Sequence, residues 1–199
     1  MITKEHYLEI KKKHGKYASW AIWAEQGEKP KSNIGKTIFE DLENNEELLS
    51  KLKTNVIMVG LNISRKFEND FVNFHDERSQ GQDYKIRHAF TGTDKSTQFY
   101  GAYMTDIIKD FKEKISIKVS SYLKEHPEFV TENVELFKQE LIDLKVKNPC
   151  IIAFGNDAYN ILVKHFGSRV KKIRHYSDHI SKENYRIEVM QKLPQLEMW

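Results

Sequence analysis

Pro149-Cys-Ile-Ile-Ala-Phe154 is apolar almost throughout and stops at Gly155-Asn156. A run this short, with no polar alternation, reads as a strand covered on both faces. Directly behind it, Ala158, Leu162 and Phe166 recur at helical spacing and Gly167 supplies a stop. A doubly covered strand that turns straight into a helix belongs in a parallel sheet with crossover helices. Val56-Ile-Met-Val, halted by Gly60, reads as another such strand. Ala102-Tyr-Met-Thr, running on toward Ile107-Ile108, and Lys172-Ile-Arg-His175 read as two more. Further helical patterns lie before, between and after them, at 3–25, 36–53, 131–146 (with Thr131 as N-cap) and 178–191. The expectation is therefore α/β, a three-layer α/β/α sandwich with a central, mostly parallel four-stranded sheet. It forms one domain over residues 1–199, with an N-terminal helical segment of about 1–53.

Composition excludes several classes. The chain has 39% hydrophobic and 31% charged residues, the balance of a globule with a heavily charged surface. No apolar run approaches the roughly 20 residues that cross a bilayer, and the start, Met1-Ile-Thr-Lys-Glu-His-Tyr7, lacks the apolar core of a secretory signal. Cys150 is the one cysteine, so no internal disulfide or four-cysteine metal site can form. The eight histidines lack the close spacing of a zinc helix. A cytoplasmic, metal-free protein is expected, with no membrane partner and no cofactor. Net charge is only +3, yet between Ile161 and Tyr176 stand Lys164, Arg169, Lys171, Lys172 and Arg174 with no acid among them. Such a run reads either as a phosphate-holding patch or as a solvated face.

In an open parallel sheet, ligands bind beyond the carboxyl ends of the strands. The residues that follow the four expected strands are Gly60-Leu61-Asn62-Ile63-Ser64, Thr105-Asp106, Gly155-Asn156-Asp157 and His175-Tyr176-Ser177-Asp178-His179. All four groups are rich in small, polar or ionisable side chains, and their convergence points to a site. A long polar loop bearing aromatics, from Asn62 to about Thr97, is of the kind that carries function.

Gly60-Leu61-Asn62-Ile63-Ser64 resembles the first motif, G-x-N-P-G, of the mismatch-specific, thymine and single-strand-selective branches of the uracil-DNA glycosylase superfamily. His175-Tyr176-Ser177 resembles the second motif, H-P-S or N-P-S. Residues 101–109, and Ile151–Gly155 with Ala158, are similar to the second and third strands of that family. The matches run in the right order over roughly residues 55–180. Two motif prolines, which lock φ, are replaced here by Ile63 and Tyr176.

The resemblance implies a metal-free DNA glycosylase that extrudes a base and hydrolyses its bond to the sugar. Asn62 would position the water through its carbonyl oxygen and His175 would stabilise the departing base, although a turn asparagine and a strand-end histidine are the plainer readings. Phe74 would stack on the base, with Phe67 and Phe71 as competitors. Gly60 and Leu61 would line the base site, and Asp76 is a rival water activator. Asp106 falls where several relatives place asparagine. An ionised aspartate only accepts, which favours an exocyclic amine over uracil; the alternatives are a helix cap or a partner for Lys109. Ser64 and Ser177 would hold phosphates, and Lys171, Lys172 and Arg174 would add charge. His179 or Ile180 would wedge into the base stack. The expected partner is DNA, single- or double-stranded, bound by a monomer. A catalytically weak or inactive DNA-binding module of the same fold is the alternative.

Overall fold

The computed structural model describes residues 2–23, 42–63, 68–76, 81–91, 98–109, 111–113 and 115–193. Its strands are β1 (Ser19–Trp20), β2 (Lys53–Asn62), β3 (Ala102–Ile108), β4 (Cys150–Phe154) and β5 (Val170–Ile173). They form one sheet in the order β1-β3-β2-β4-β5. All neighbours are parallel except β1, which pairs antiparallel with β3. The described helices are α1 (Lys4–His14), α2 (Glu46–Ser50), α3 (Tyr84–Phe90), α4 (Ser116–Glu125), α5 (Pro127–Asp143), α6 (Gly155–Phe166) and α7 (Lys182–Lys192).

Strand alternation sends successive side chains to opposite faces, and the two faces carry separate cores. Ile57, Val59, Tyr103, Ile151 and Ala153 pack against Tyr7 and Ile10 of α1, Val134, Phe137 and Leu141 of α5, and Ala158 and Leu162 of α6. Val56, Met58, Met104, Ile152 and Phe154 pack against Ile86 and Phe90 of α3 and Tyr185 and Val189 of α7. This is the expected three-layer α/β/α arrangement, with five strands instead of four. The extra strand lies in the stretch expected to be helical over 3–25. Thr3 caps α1 by accepting from the His6 N–H at 3.2 Å, and α1 stops before Gly15. Beyond it the run Ala18-Ser-Trp-Ala-Ile-Trp23 alternates: Trp20 and Ile22 enter the first core, Ala21 and Trp23 the second. A continuously apolar run carries no period of its own, so tertiary pairing chose the strand.

Other boundaries move for local reasons. The helix expected at 131–146 begins at Pro127, whose missing N–H costs nothing in the first turn. Thr131 is therefore interior to α5 rather than its cap, and its hydroxyl donates to the Pro127 carbonyl. Of the expected 36–53 helix, residues 36–41 lie outside the described residues; beyond them Leu42 is helical, α2 begins anew after its cap Asn45, and Lys53 already belongs to β2. The last strand lies at 170–173 instead of 172–175, which puts Arg174 and His175 in the loop beyond it.

One buried ionic network anchors α5 to β3. Lys109 Nζ donates to Glu140 Oε2 at 2.6 Å and to Thr105 Oγ1 at 2.5 Å, while Tyr103 OH donates to Glu140 Oε1 at 2.6 Å. The Lys109 and Glu140 side chains are only 7% and 1% exposed, so each needs the other.

Candidate active site

Parallel pairing sets the carboxyl ends of β2, β3 and β4 side by side, with Gly60 opposite Asp106. Gly60 and Asp106 point toward the α3/α7 layer. A β-carbon on Gly60 would come within 2.2 Å of Asp106 Oδ1 and 3.3 Å of the Phe74 ring. Only glycine leaves room for those two groups to meet over the strand.

Asp106 is buried and takes neither of the plainer roles open to it. It lies inside β3, so it caps no helix. Lys109 lies on the opposite face of the sheet, paired with Glu140. The carboxylate accepts instead from Asn73, whose Nδ2 donates to Oδ2 at 2.8 Å. Among the described residues nothing donates to Oδ1. Burial pushes the carboxyl up to about 7; the Asn73 hydrogen bond and Lys109 oppose the rise, and Glu140 and Asp83 add to it.

Asn73 also donates to the Tyr17 carbonyl at 2.8 Å and accepts from the Phe74 N–H at 3.1 Å. That clamp holds Phe74 at φ 64°, an unusual conformation for a phenylalanine. The Phe74 ring lies 6.0 Å from Phe154 and meets Tyr176 edge-on at 6.3 Å, and Phe154 and Tyr176 meet edge-on at 5.4 Å. Phe71 turns away into the other core, beside Tyr7 and Trp20. Phe67 lies outside the described residues. Of the three aromatic candidates, the described structure places Phe74 at the strand ends.

His175 packs beside Gly155, whose φ of +84° favours glycine; a β-carbon there would meet His175 Cβ at 3.4 Å, an ordinary contact, so the backbone conformation and not space is the constraint. The ring stacks on Tyr176 at 4.4 Å. The Ser177 N–H donates to Nδ1 at 3.2 Å, with the Ser177 hydroxyl 2.7 Å from the same nitrogen. A nitrogen that accepts a backbone N–H carries no proton, so the neutral ring holds its hydrogen on Nε2. Burial lowers the His175 pKa, against the pull of Asp178, and favours that neutral form. Ser177 thus sets a tautomer, a task distinct from the phosphate contact expected of it.

Asn62 closes β2. Its Nδ2 donates to the carbonyls of Phe111 at 2.9 Å and Glu113 at 2.8 Å. Both partners are acceptors, so the orientation of the carboxamide is determined, and Oδ1 turns away from the 111–113 segment. Among the described residues nothing donates to that oxygen. The structure brings Asn62 and His175 to the same edge, one at the end of β2 and the other against the residue that follows the adjacent β4.

The missing prolines have local substitutes. Ile63 is buried, and the turn it enters is tied by the Asn62 bonds. After His175 the turn is closed by the Asp178 N–H donating to the His175 carbonyl at 3.1 Å, and Tyr185 OH donates to the Arg174 carbonyl at 3.2 Å.

The remaining candidates are scattered. Leu61 packs on the α1/α5/α6 core. His75 contacts the Trp20 carbonyl at 3.1 Å inside the protein, and the Asp76 N–H donates to Asp83 at 2.7 Å. Lys171 and Lys172 are consecutive in β5 and point to opposite faces; Lys172 donates to Asn156 at 2.9 Å. Arg174 is engaged by Glu188 at 2.8 Å and Asp178 at 3.7 Å. His179 is exposed, whereas Ile180 packs on the α3/α7 core. Ser64 lies outside the described residues. Sequence reasoning assigned no role to Asn73, Phe154 or Asp83. Asn73 meets Tyr17 and Asp106 across 56 and 33 residues of chain, a distance at which no local pattern reports contact. Among the described residues no cluster of three or more His, Cys, Asp or Glu is placed to hold a metal, and no helix is long and apolar enough to cross a membrane. No protein-family model matches the chain, nor does any curated protein or solved structure.

Proposed function

We propose that this protein is a monofunctional DNA glycosylase, a divergent relative of the uracil-DNA glycosylase superfamily. The reading rests on one observation: a carboxamide whose carbonyl oxygen accepts from none of the described residues and a neutral imidazole protonated on Nε2 share the carboxyl-end edge of the sheet, beside the strand where Gly60 makes room for Asp106 and Phe74. Hydrolysis breaks the C1′–N bond, leaves the electron pair on the base and builds positive charge on the sugar. Asn62 Oδ1 accepts a hydrogen bond from water and directs it at C1′. It is too weak a base to remove the proton, which passes to solvent after attack. His175 Nε2–H donates to a base carbonyl where the negative charge collects. Phe74 stacks on the extruded ring, and the loops beyond the strands supply the DNA contacts.

Abasic-site formation on a panel of oligonucleotides, each with one altered base, tests this. Asn62→Ala and His175→Ala are each expected to lower the single-turnover rate by about a hundredfold or more. Equal rates in wild type and Asn62→Ala would dismiss the assignment of roles.

A DNA-binding module without catalysis is the second reading. The mutual packing of Phe74, Phe154 and Tyr176 favours it, because a base enters only by parting those rings. DNA binding by wild type with no alkali-labile site on any oligonucleotide would establish this reading in place of the first.

A further inference from the structure

We propose that Phe74 is a movable cap over Asp106, and that negative charge on this carboxyl drives the cap open. The cap is a property of the fold; its bearing on catalysis, as control over entry to the site, rests on the glycosylase reading.

The closed position is strained. Phe71 and Phe74 both have positive φ, 60° and 64°, a conformation that costs any residue other than glycine. Phe71 is a fixed anchor. Its N–H donates to the Gly15 carbonyl at 2.7 Å, Ser19 Oγ donates to its carbonyl at 2.6 Å, and its ring lies in the α1/α5/α6 core. Phe74 hangs instead on Asn73, whose Oδ1 accepts the Phe74 N–H and whose Nδ2 is shared between Asp106 and the Tyr17 carbonyl. Beyond that clamp the ring rests against Phe154 and Tyr176. Letting go of Asn73 frees Phe74 to relax its φ while Phe71 stays in place.

What lies beside the ring gives it a reason to move. A β-carbon on Gly60 would meet Asp106 Oδ1 and the Phe74 ring together, so oxygen and ring are neighbours over that glycine. Asp106 is 4% exposed, and among the described residues nothing donates to Oδ1. An ionised oxygen without a donor is costly there, and water relieves it. Turning Phe74 outward admits that water, which a neutral carboxyl needs far less. The closed state therefore holds the Asp106 proton more tightly than the open one. Burial places the closed carboxyl at about 7, with Asn73 and Lys109 lowering it and Glu140 and Asp83 raising it. The other titratable groups nearby are His75 and Asp76 in the cap segment, Lys85 on α3, held by the Asp178 carbonyl, and His175 and Tyr176 after β5. Once solvated, the carboxyl titrates near about 4. The opening constant is then low and flat in acid, climbs about tenfold per pH unit between about 4 and 7, and levels off above.

Native-state hydrogen exchange tests the cap without DNA, so its result stands apart from that of the excision assay. The exchange rate of the Phe74 amide, divided by the rate of an unstructured peptide, gives the opening constant by NMR. Ile152 in β4 reports global unfolding in the same spectra. Phe74 is expected to open at least about tenfold more often than Ile152, with little response to dilute urea. Its opening constant should rise about tenfold per unit from about pH 5 to 7 and then level off. Asp106→Asn, nearly isosteric, should flatten that profile. Phe74 and Ile152 opening together at every urea concentration would overturn the inference, because the cap would then move only as the whole domain unfolds. A wild-type profile flat from about pH 5 to 8, which requires no variant to fold, would overturn it too. So would an Asp106→Asn variant that keeps the wild-type slope.

Discussion

Asn73 donates its side-chain amide to Asp106 Oδ2 across 2.8 Å, and with the same nitrogen reaches the Tyr17 carbonyl. One side chain thereby joins the turn after α1 to the middle of the sheet and holds a buried carboxylate below the titration point that burial alone would give it. Asn73→Ala should move Asp106 upward, since the hydrogen bond stabilises the charged form. It should also cost about 1–3 kcal/mol, because it leaves a buried carboxylate oxygen and a carbonyl unanswered. Carbon-detected NMR titration reads the first effect and urea unfolding the second. A downward shift would mean that Asn73 does not stabilise the charged form.

Asp106→Asn should stabilise the protein, by an amount that depends on pH. The unfolded carboxyl titrates near about 3.9, and the folded one near 7. Above both values the wild type bears the whole cost of a buried charge. As pH falls through 7 the folded state takes up its proton first and the cost is relieved; below about 4 both states are neutral and no difference remains. The substitution should therefore raise the melting temperature most in alkali, by on the order of a few kcal/mol in stability, with the gain shrinking toward pH 4. Thermal melts of both proteins across this range decide it. A gain that grows in acid would contradict the assignment.

Gly60 and Asp106 form a steric pair as well. Gly60→Ala drives a methyl into Asp106 Oδ1 and the Phe74 ring, both held by Asn73. A loss of about 1–3 kcal/mol is expected, as for other overpacked sites, and base binding should disappear. Adding Asp106→Ala removes the atom that collides, so the double variant should recover part of the lost stability. Additive losses in a double-mutant cycle would show that the two positions do not touch.

Much of this arrangement was legible in the sequence, and the reasons differ by element. The apolar runs at 56–59 and 149–154 lie in strands, and Gly155 follows the second at a positive φ, but Gly60 does not halt the first: β2 continues through it to Asn62, and the glycine makes room for Asp106 instead. The apolar runs are local, so a linear pattern records them; the place of Gly60 inside the strand is set by its pairing with Asp106 of β3, which no local pattern reports. The cationic run at 164–174 was less informative. Order along the chain does not reveal that Lys171 and Lys172 diverge across a strand or that Glu188, fourteen residues on, reaches Arg174. Trp20 and Trp23 gave no period to read because every neighbour from Ala18 on is apolar or small. The Asn73 clamp was hidden by chain separation alone.

The buried Lys109–Glu140 pair, with Tyr103 and Thr105, ties α5 to β3 on the face of the sheet opposite Asp106. Glu140→Leu alone would strand an ammonium in the core and leave Tyr103 OH without its acceptor, a loss of about 3–5 kcal/mol. Lys109→Met together with Glu140→Leu removes both charges at similar volume and should restore most of that stability. The double variant also takes away one cation that lowers the Asp106 titration point and one anion that raises it. Asp106 should therefore shift less in the double variant than in Lys109→Met alone, where only the lowering influence is lost and the carboxyl moves up. Urea unfolding and NMR titration of the three proteins test both effects. A double variant no more stable than Glu140→Leu would show that the network is required for this strand to sit where it does.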